Sequence, residues 1–129
     1  MSAAGMLLLL HGAGSSGWYW HLVEPILQNA GHDTVAPDLP ADDPDADLAT
    51  YVTTAVRAVE DCSGTAIVVA QSMAGIIAPV VAERIEADRL VLLAAMIPNP
   101  GERGHDWWTN TGQATAQHSC FEELGSRAL

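Results

Sequence analysis

Short apolar runs alternate with helix-patterned segments along most of this chain, and that alternation constrains the fold more than any other feature. Residues 6–10, "MLLLL", are continuously apolar and bounded by glycines, which is how a strand buried on both faces reads. Residues 18–29 follow with Leu22, Val23, Ile26 and Leu27 at helical spacing, and Gly31 suits the stop. Residues 32–36 predict a short second strand, cut off by Pro37 and the polar loop "PDLPADDPDAD". Residues 48–62 predict a second helix, with Leu48, Val52, Ala55, Val56 and Val59 on one stripe. Strand 65–70, helix 74–87 and strand 89–95 ("RLVLLAA") complete the series.

This order predicts an α/β fold: a three-layer sandwich whose parallel sheet has about four strands, with helices on both faces and right-handed crossovers. In such sheets function gathers at the carboxyl ends of the strands. Here those ends are residues 11–17, 37–40, 71–75 and 96–101. With 129 residues the chain suffices for one compact domain and its core. Residues 1–97 read as that core. Residues 98–129 have no apolar strand and only a weak helical stretch near their end, the pattern of a tail or cap remnant.

Five basic against sixteen acidic residues give a net charge of −11, which argues against nucleic acid as a partner. Cys62 and Cys120 do not make a disulfide framework. The start, "MSAAGMLLLLHG", lacks the basic region and the apolar length of a signal peptide. No run approaches the roughly 18 apolar residues of a membrane span. The expectation is a cytoplasmic protein with no membrane partner, no cofactor and, lacking any His/Cys/Asp cluster at ligand spacing, no metal.

Two strand ends carry chemistry. "HGAGSSGWYW" (11–20) contains G-x-G-x-x-G at Gly12, Gly14 and Gly17, with Asp38 about 20 residues on, as a dinucleotide-binding turn would have. Bulky Trp18, Tyr19 and Trp20 stand against that reading, since close approach to a cofactor favours small residues. "VVAQSMAG" (68–75) puts Ser72 just past a buried strand and before a helix, with small Ala70 and Ala74 two residues to either side. That is the pattern of a nucleophile elbow, whose sharp turn leaves no room for larger flanking side chains. A serine at a helix start also serves simply as an N-cap.

Together, "HGAGSSGWYW", "GHDTVAPDLP" and "AQSMAG", in this order and spacing, resemble the α/β-hydrolase family, particularly its small-esterase and hydroxynitrile-lyase branch. The resemblance spans roughly residues 5–100. It implies Ser72 as nucleophile and the backbone amides of Ala13 and Met73 as the oxyanion hole. It also makes His11 a brace for the turn, and sets His11, Gly12, Trp18 and Gln71 around the pocket. Two departures stand out: alanines replace the usual elbow glycines at Ala70 and Ala74, and Pro79 lies in the helix after the serine.

The family order is Ser, then Asp or Glu, then His, and the chain stops about where the cap of such a protein should begin. A serine hydroxyl needs a positioned base. His105 and His118 are the candidates, with Asp106 as the first choice of orienting acid and Glu122 or Glu123 as others. Trp18, Trp20, Trp107 and Trp108 could wall an apolar pocket, although core packing suits the first two better. The expected function is cleavage of small neutral carboxylic esters through Ser72, weak if the triad is incomplete. Lyase chemistry of the same branch is not distinguished. The alternative is a non-catalytic fragment or binding module; a dinucleotide-binding domain is a further one. The open apolar edge from Arg89 to Ala95 predicts self-association.

Overall fold

The computed structural model describes residues 5–127. They divide into two compact units, one running through Met96 and the other beginning at Ile97. The first holds a four-stranded parallel sheet of β1 (Met6–Leu10), β2 (Asp33–Val35), β3 (Ala66–Gln71) and β4 (Arg89–Leu93), in the order β2-β1-β3-β4. Leu8 sits opposite Val68 in the central pairing, and Val68 opposite Leu90 at the edge.

Strand side chains alternate between faces, and the sheet sorts its apolar residues accordingly. One face buries Met6, Leu8, Leu10, Val68 and Ala70 beneath helices α2 (Leu48–Arg57) and α3 (Ala78–Arg84), which contribute Val52, Ala55, Ala78 and Val81. The other face buries Leu7 and Leu9 beneath Trp20, with Leu27 of α1 (Glu24–Asn29) packed alongside. This second layer is thinner. Val91 and Leu93 of β4 remain 45% and 48% exposed.

The single helix expected over 18–29 is two pieces: a 3-10 turn at Gly17–Trp20, then α1. Pro25 is the cause. It has no N–H to give and its ring clashes with the preceding turn, so it is tolerated only at a helix start, where it lies. Pro79 occupies the equivalent place in α3, after a 3-10 turn at Ser72–Ile76, so α3 begins four residues later than expected and ends three earlier. Helix α2 stops at Arg57; residues 58–62 tighten into i→i+3 bonds, such as that from Cys62 N–H to Val59 C=O. β4 ends at Leu93, because Ala94 turns into the left-handed region at φ 44°. The strand expected over 32–36 forms only at Asp33–Val35.

Two helices, α4 (Gly104–Asn110) and α5 (Gln113–Arg127), account for most of the second unit, more helix than the weak stretch its sequence pattern predicts. Good helix formers in "QATAQHSCFEELGSR" support α5 without an apolar stripe to announce it. Gly112, at φ 72°, makes the joint between the two. Cys62 and Cys120 are free thiols. Among the described residues, no helix is long and apolar enough to cross a membrane.

Two substitutions test this architecture. Leu8 is fully buried in a central strand, so Leu8→Ala should lower unfolding free energy by about 2–5 kcal/mol in urea titration. Asp47 caps α2, its carboxylate accepting from the Thr50 hydroxyl at 2.7 Å and the Thr50 N–H at 2.8 Å. Those bonds hold its pKa below the ordinary 3.8, the hydroxyl contributing most. A depressed pKa stabilises the fold above the unfolded value, and that stabilisation fades as pH falls through the folded one. Asp47→Ala should therefore unfold at lower urea than wild type at neutral pH, and the two should converge on acidification below the usual Asp range.

Candidate active site

Ser72 begins the 3-10 turn after β3 and adopts φ 53°, a left-handed conformation that non-glycine residues seldom take. Serine gains nothing local from it, so neighbouring structure must impose it. Three features do. Ser72 C=O accepts the Met96 N–H at 2.9 Å, pinning the turn to the loop after β4. Ala70 and Ala74 are both fully buried, filling the confined flanks of the turn. Gly75 allows the close approach: a Cβ there would collide with the Met96 carbonyl and come within 2.8 Å of Ala95 Cβ. The alanines that depart from the glycine pattern thus fit, while the position that cannot carry a side chain is Gly75.

The turn after β1 is held by His11, which is fully buried. Its Nε2 accepts the Leu39 N–H at 2.9 Å, which fixes the proton on Nδ1, and Nδ1–H donates to Gly12 C=O at 2.8 Å. One neutral imidazole therefore ties the glycine turn to the "DLP" loop. Because the peptide unit is planar and trans, C=O and N–H point opposite ways. Drawing the Gly12 carbonyl onto His11 thus directs the Ala13 N–H away from it, and Ala13 itself is exposed. The resemblance sets His11 around a pocket; in this structure it is fully buried, and its two ring nitrogens serve the turn.

The two turns meet. A Cβ on Gly12 would lie 2.6 Å from Gln71 Oε1, the mobile end of its side chain, and 3.0 Å from Ser72 Cβ, so any side chain there would push on the serine turn. The other glycines of G-x-G-x-x-G are spent locally as well. Gly14 takes φ 66°, and a Cβ on Gly17 would strike the Ala36 carbonyl. Asp38, the residue a ribose would require, instead accepts the Gly17 N–H at 2.8 Å. Gly17 opens a four-residue 3-10 turn, not a helix whose amides could cradle a pyrophosphate. The dinucleotide pattern is a by-product of packing. Sequence reasoning missed Gly75, Leu39 and Met96 as supports; two of the three act through backbone groups, which side-chain identity does not announce.

Of the tryptophans, Trp20 is buried in the thinner core layer, whereas Trp18 is 72% exposed and stacks on the His21 ring at 3.8 Å. Core packing fits Trp20 and not Trp18. In the second unit, Trp107 and Trp108 of α4 meet edge to face at 5.3 Å, and the Trp107 indole N–H donates to Ile97 C=O at 3.3 Å. The two tail histidines each contact a carboxylate in their own helix: His105 Nε2 lies 2.9 Å from Asp106, and His118 Nε2 lies 3.1 Å from Glu122 one turn on. Among the described residues no group of three or more His, Cys, Asp or Glu gathers as a metal would need.

The chain resembles several solved structures in fold. It matches polyneuridine aldehyde esterase at 20% identity, covering 86% of this chain and 48% of that one, with a TM-score of 0.69. Tomato methylketone synthase I, as its H243A variant with β-ketoheptanoate, matches at 19% identity over 88% and 48%, TM-score 0.67. A pyrethroid hydrolase from Sphingobium faniae JZ-2 matches at 24% over 76% and 42%, TM-score 0.64. The chain thus spans less than half the length of each of these structures. No curated protein matches it. The model of the alpha/beta hydrolase family matches residues 7–126. With nearly its whole length matched and a left-handed serine turn at the end of its third strand, this chain belongs to the alpha/beta hydrolase family.

Proposed function

We propose that this chain carries the nucleophile and oxyanion side of a serine hydrolase for small neutral carboxylic esters. The observation that carries the reading is the strained backbone at Ser72, φ 53°, set directly against Gly12. A strained residue at a strand end is costly to keep, by about 1–3 kcal/mol, and such strain clusters at functional sites.

In the proposed reaction the Ser72 Oγ attacks the ester carbonyl carbon as a base removes its proton. The carbonyl π pair moves to oxygen, and the amides of Ala13 and Met73 donate to that oxyanion. Collapse expels the alkoxy group, which takes the proton from the base and leaves as the alcohol. Water, deprotonated by the same base, then releases the carboxylic acid from Ser72. The base is proposed to be His118 or His105, each already beside a carboxylate that can orient it, Glu122 or Asp106. Low charge around the motifs favours neutral esters, and cytoplasmic residence fits the sequence.

The second reading is a hydrolase-like binding module. In its favour, the Ser72 hydroxyl makes no hydrogen bond to any described residue of its own unit. Such a module would hold a ligand at the strand ends without turnover.

A fluorophosphonate separates the two. Intact-mass measurement should show one adduct per chain, absent in Ser72→Ala; no adduct in either protein would leave the binding-module reading. Gly12→Val should slow labelling by about 100-fold, the order expected for a small misplacement of reacting groups, with the far-UV circular dichroism retained. Ester hydrolysis by His118→Ala and His105→Ala should fall by about 10³-fold in whichever variant lacks the base, leaving the residual rate that binding and the oxyanion hole supply.

A further inference from the structure

We propose that Gln71 is a specificity-determining residue that selects esters bearing an oxygen on the carbon next to the ester carbonyl, such as 2-hydroxyacyl esters. The inference rests on the serine-hydrolase reading above and adds a substrate class to it.

Gln71 is the last residue of β3 and directly precedes Ser72. Its side chain shares a sheet face with Ile67 and Val69, and across the β3–β4 pairing its partner is Leu93. It is thus the polar end of an apolar row. The side chain does not turn back to satisfy itself on the protein: no side-chain hydrogen bond is made to any described residue. A half-buried carboxamide offers two N–H donors and one acceptor. Neither amide atom is sealed from water, so a bound group that takes the water's place must match that donor and acceptor or leave them unpaired.

The location of the amide limits what that partner is. Its tip lies against Gly12, 2.6 Å from where a Cβ would stand, and Ser72 Cβ borders the same spot. Because Gln71 Oε1 and Ser72 Cβ border the same point beside Gly12, a group on the carbon next to a carbonyl that Ser72 attacks comes near the carboxamide. An oxygen on that carbon meets a donor and an acceptor; a methyl group there leaves both unpaired. A site that hydrogen-bonds a substrate hydroxyl rejects the analogue lacking it more strongly than an apolar pocket discriminates by size.

The experiment compares hydrolysis of methyl 2-hydroxybutanoate with that of methyl 2-methylbutanoate, in wild type, Gln71→Leu and Gln71→Glu, with fluorophosphonate labelling of Ser72 measured in parallel. Wild type should favour the hydroxy ester by at least about 10-fold in kcat/KM, one good hydrogen bond's worth. Gln71→Leu should bring the two within about 2-fold by losing rate on the hydroxy ester alone. Gln71→Glu, which keeps an acceptor, should retain part of the preference. Labelling should persist in both variants. Equal loss on both esters would place the carboxamide at the leaving oxygen and overturn the inference, as would an unchanged preference in Gln71→Leu or none in wild type. Absence of labelling in wild type would instead remove the serine-hydrolase reading, and the inference with it.

Discussion

The site depends on one unfavourable backbone conformation being held in place. Ser72 sits at φ 53° because its carbonyl is bonded to Met96 and because Ala70, Ala74 and Gly75 leave space for nothing else. Each support comes from a different part of the chain: the end of β3, the turn beyond it, and the loop after β4. The parallel sheet brings them to a common point, since all four strands end on the same side. Packing on the sheet's better-covered face, with Leu8, Val68 and Val81 fully buried, supplies the stability against which such strain can be kept.

A second support reaches the same point from the opposite direction. His11 uses both ring nitrogens on backbone groups, one from the "DLP" loop and one from its own turn. A buried histidine with two fixed partners acts as a spacer of defined length. Gly12 then lies against Ser72 without a side chain between them. The geometry of the pair is thus set by contacts that, among the described residues, use neither the Ala13 amide nor the Ser72 hydroxyl, the two groups the proposed reaction would need.

Legibility in the sequence tracks which signals reside in side chains. The strands were legible because "MLLLL" and "AIVVAQ" are apolar patterns that only a buried sheet accommodates, and the elbow because Ala70 and Ala74 flank Ser72 with small residues. The helix boundaries were less so: Pro25 and Pro79 each start a helix instead of sitting within one, a distinction that apolar spacing does not make. Helix α5 showed only as a weak helical stretch since its support is intrinsic propensity, with Phe121 and Leu124 largely exposed. The double use of Gly12, Gly14 and Gly17 was ambiguous for a similar reason. A glycine pattern reports that a backbone comes close to something, and only the fold says to what.

The hydrogen bond from Met96 to Ser72 has a bearing on how the protein tolerates heat. β4 is the outer strand of the sheet, pairs on one side only among the described residues, and leaves Val91, Leu92 and Leu93 between 41% and 48% exposed. Edge elements with few buried contacts open locally at lower free energy than the whole fold unravels. When β4 and the loop after it lift away, the Ser72 carbonyl loses its partner, and the serine can relax toward an ordinary backbone conformation while β1 and β3 stay paired. Loss of the serine turn would then run ahead of denaturation, and the margin between them would be set by how firmly this one outer strand is docked.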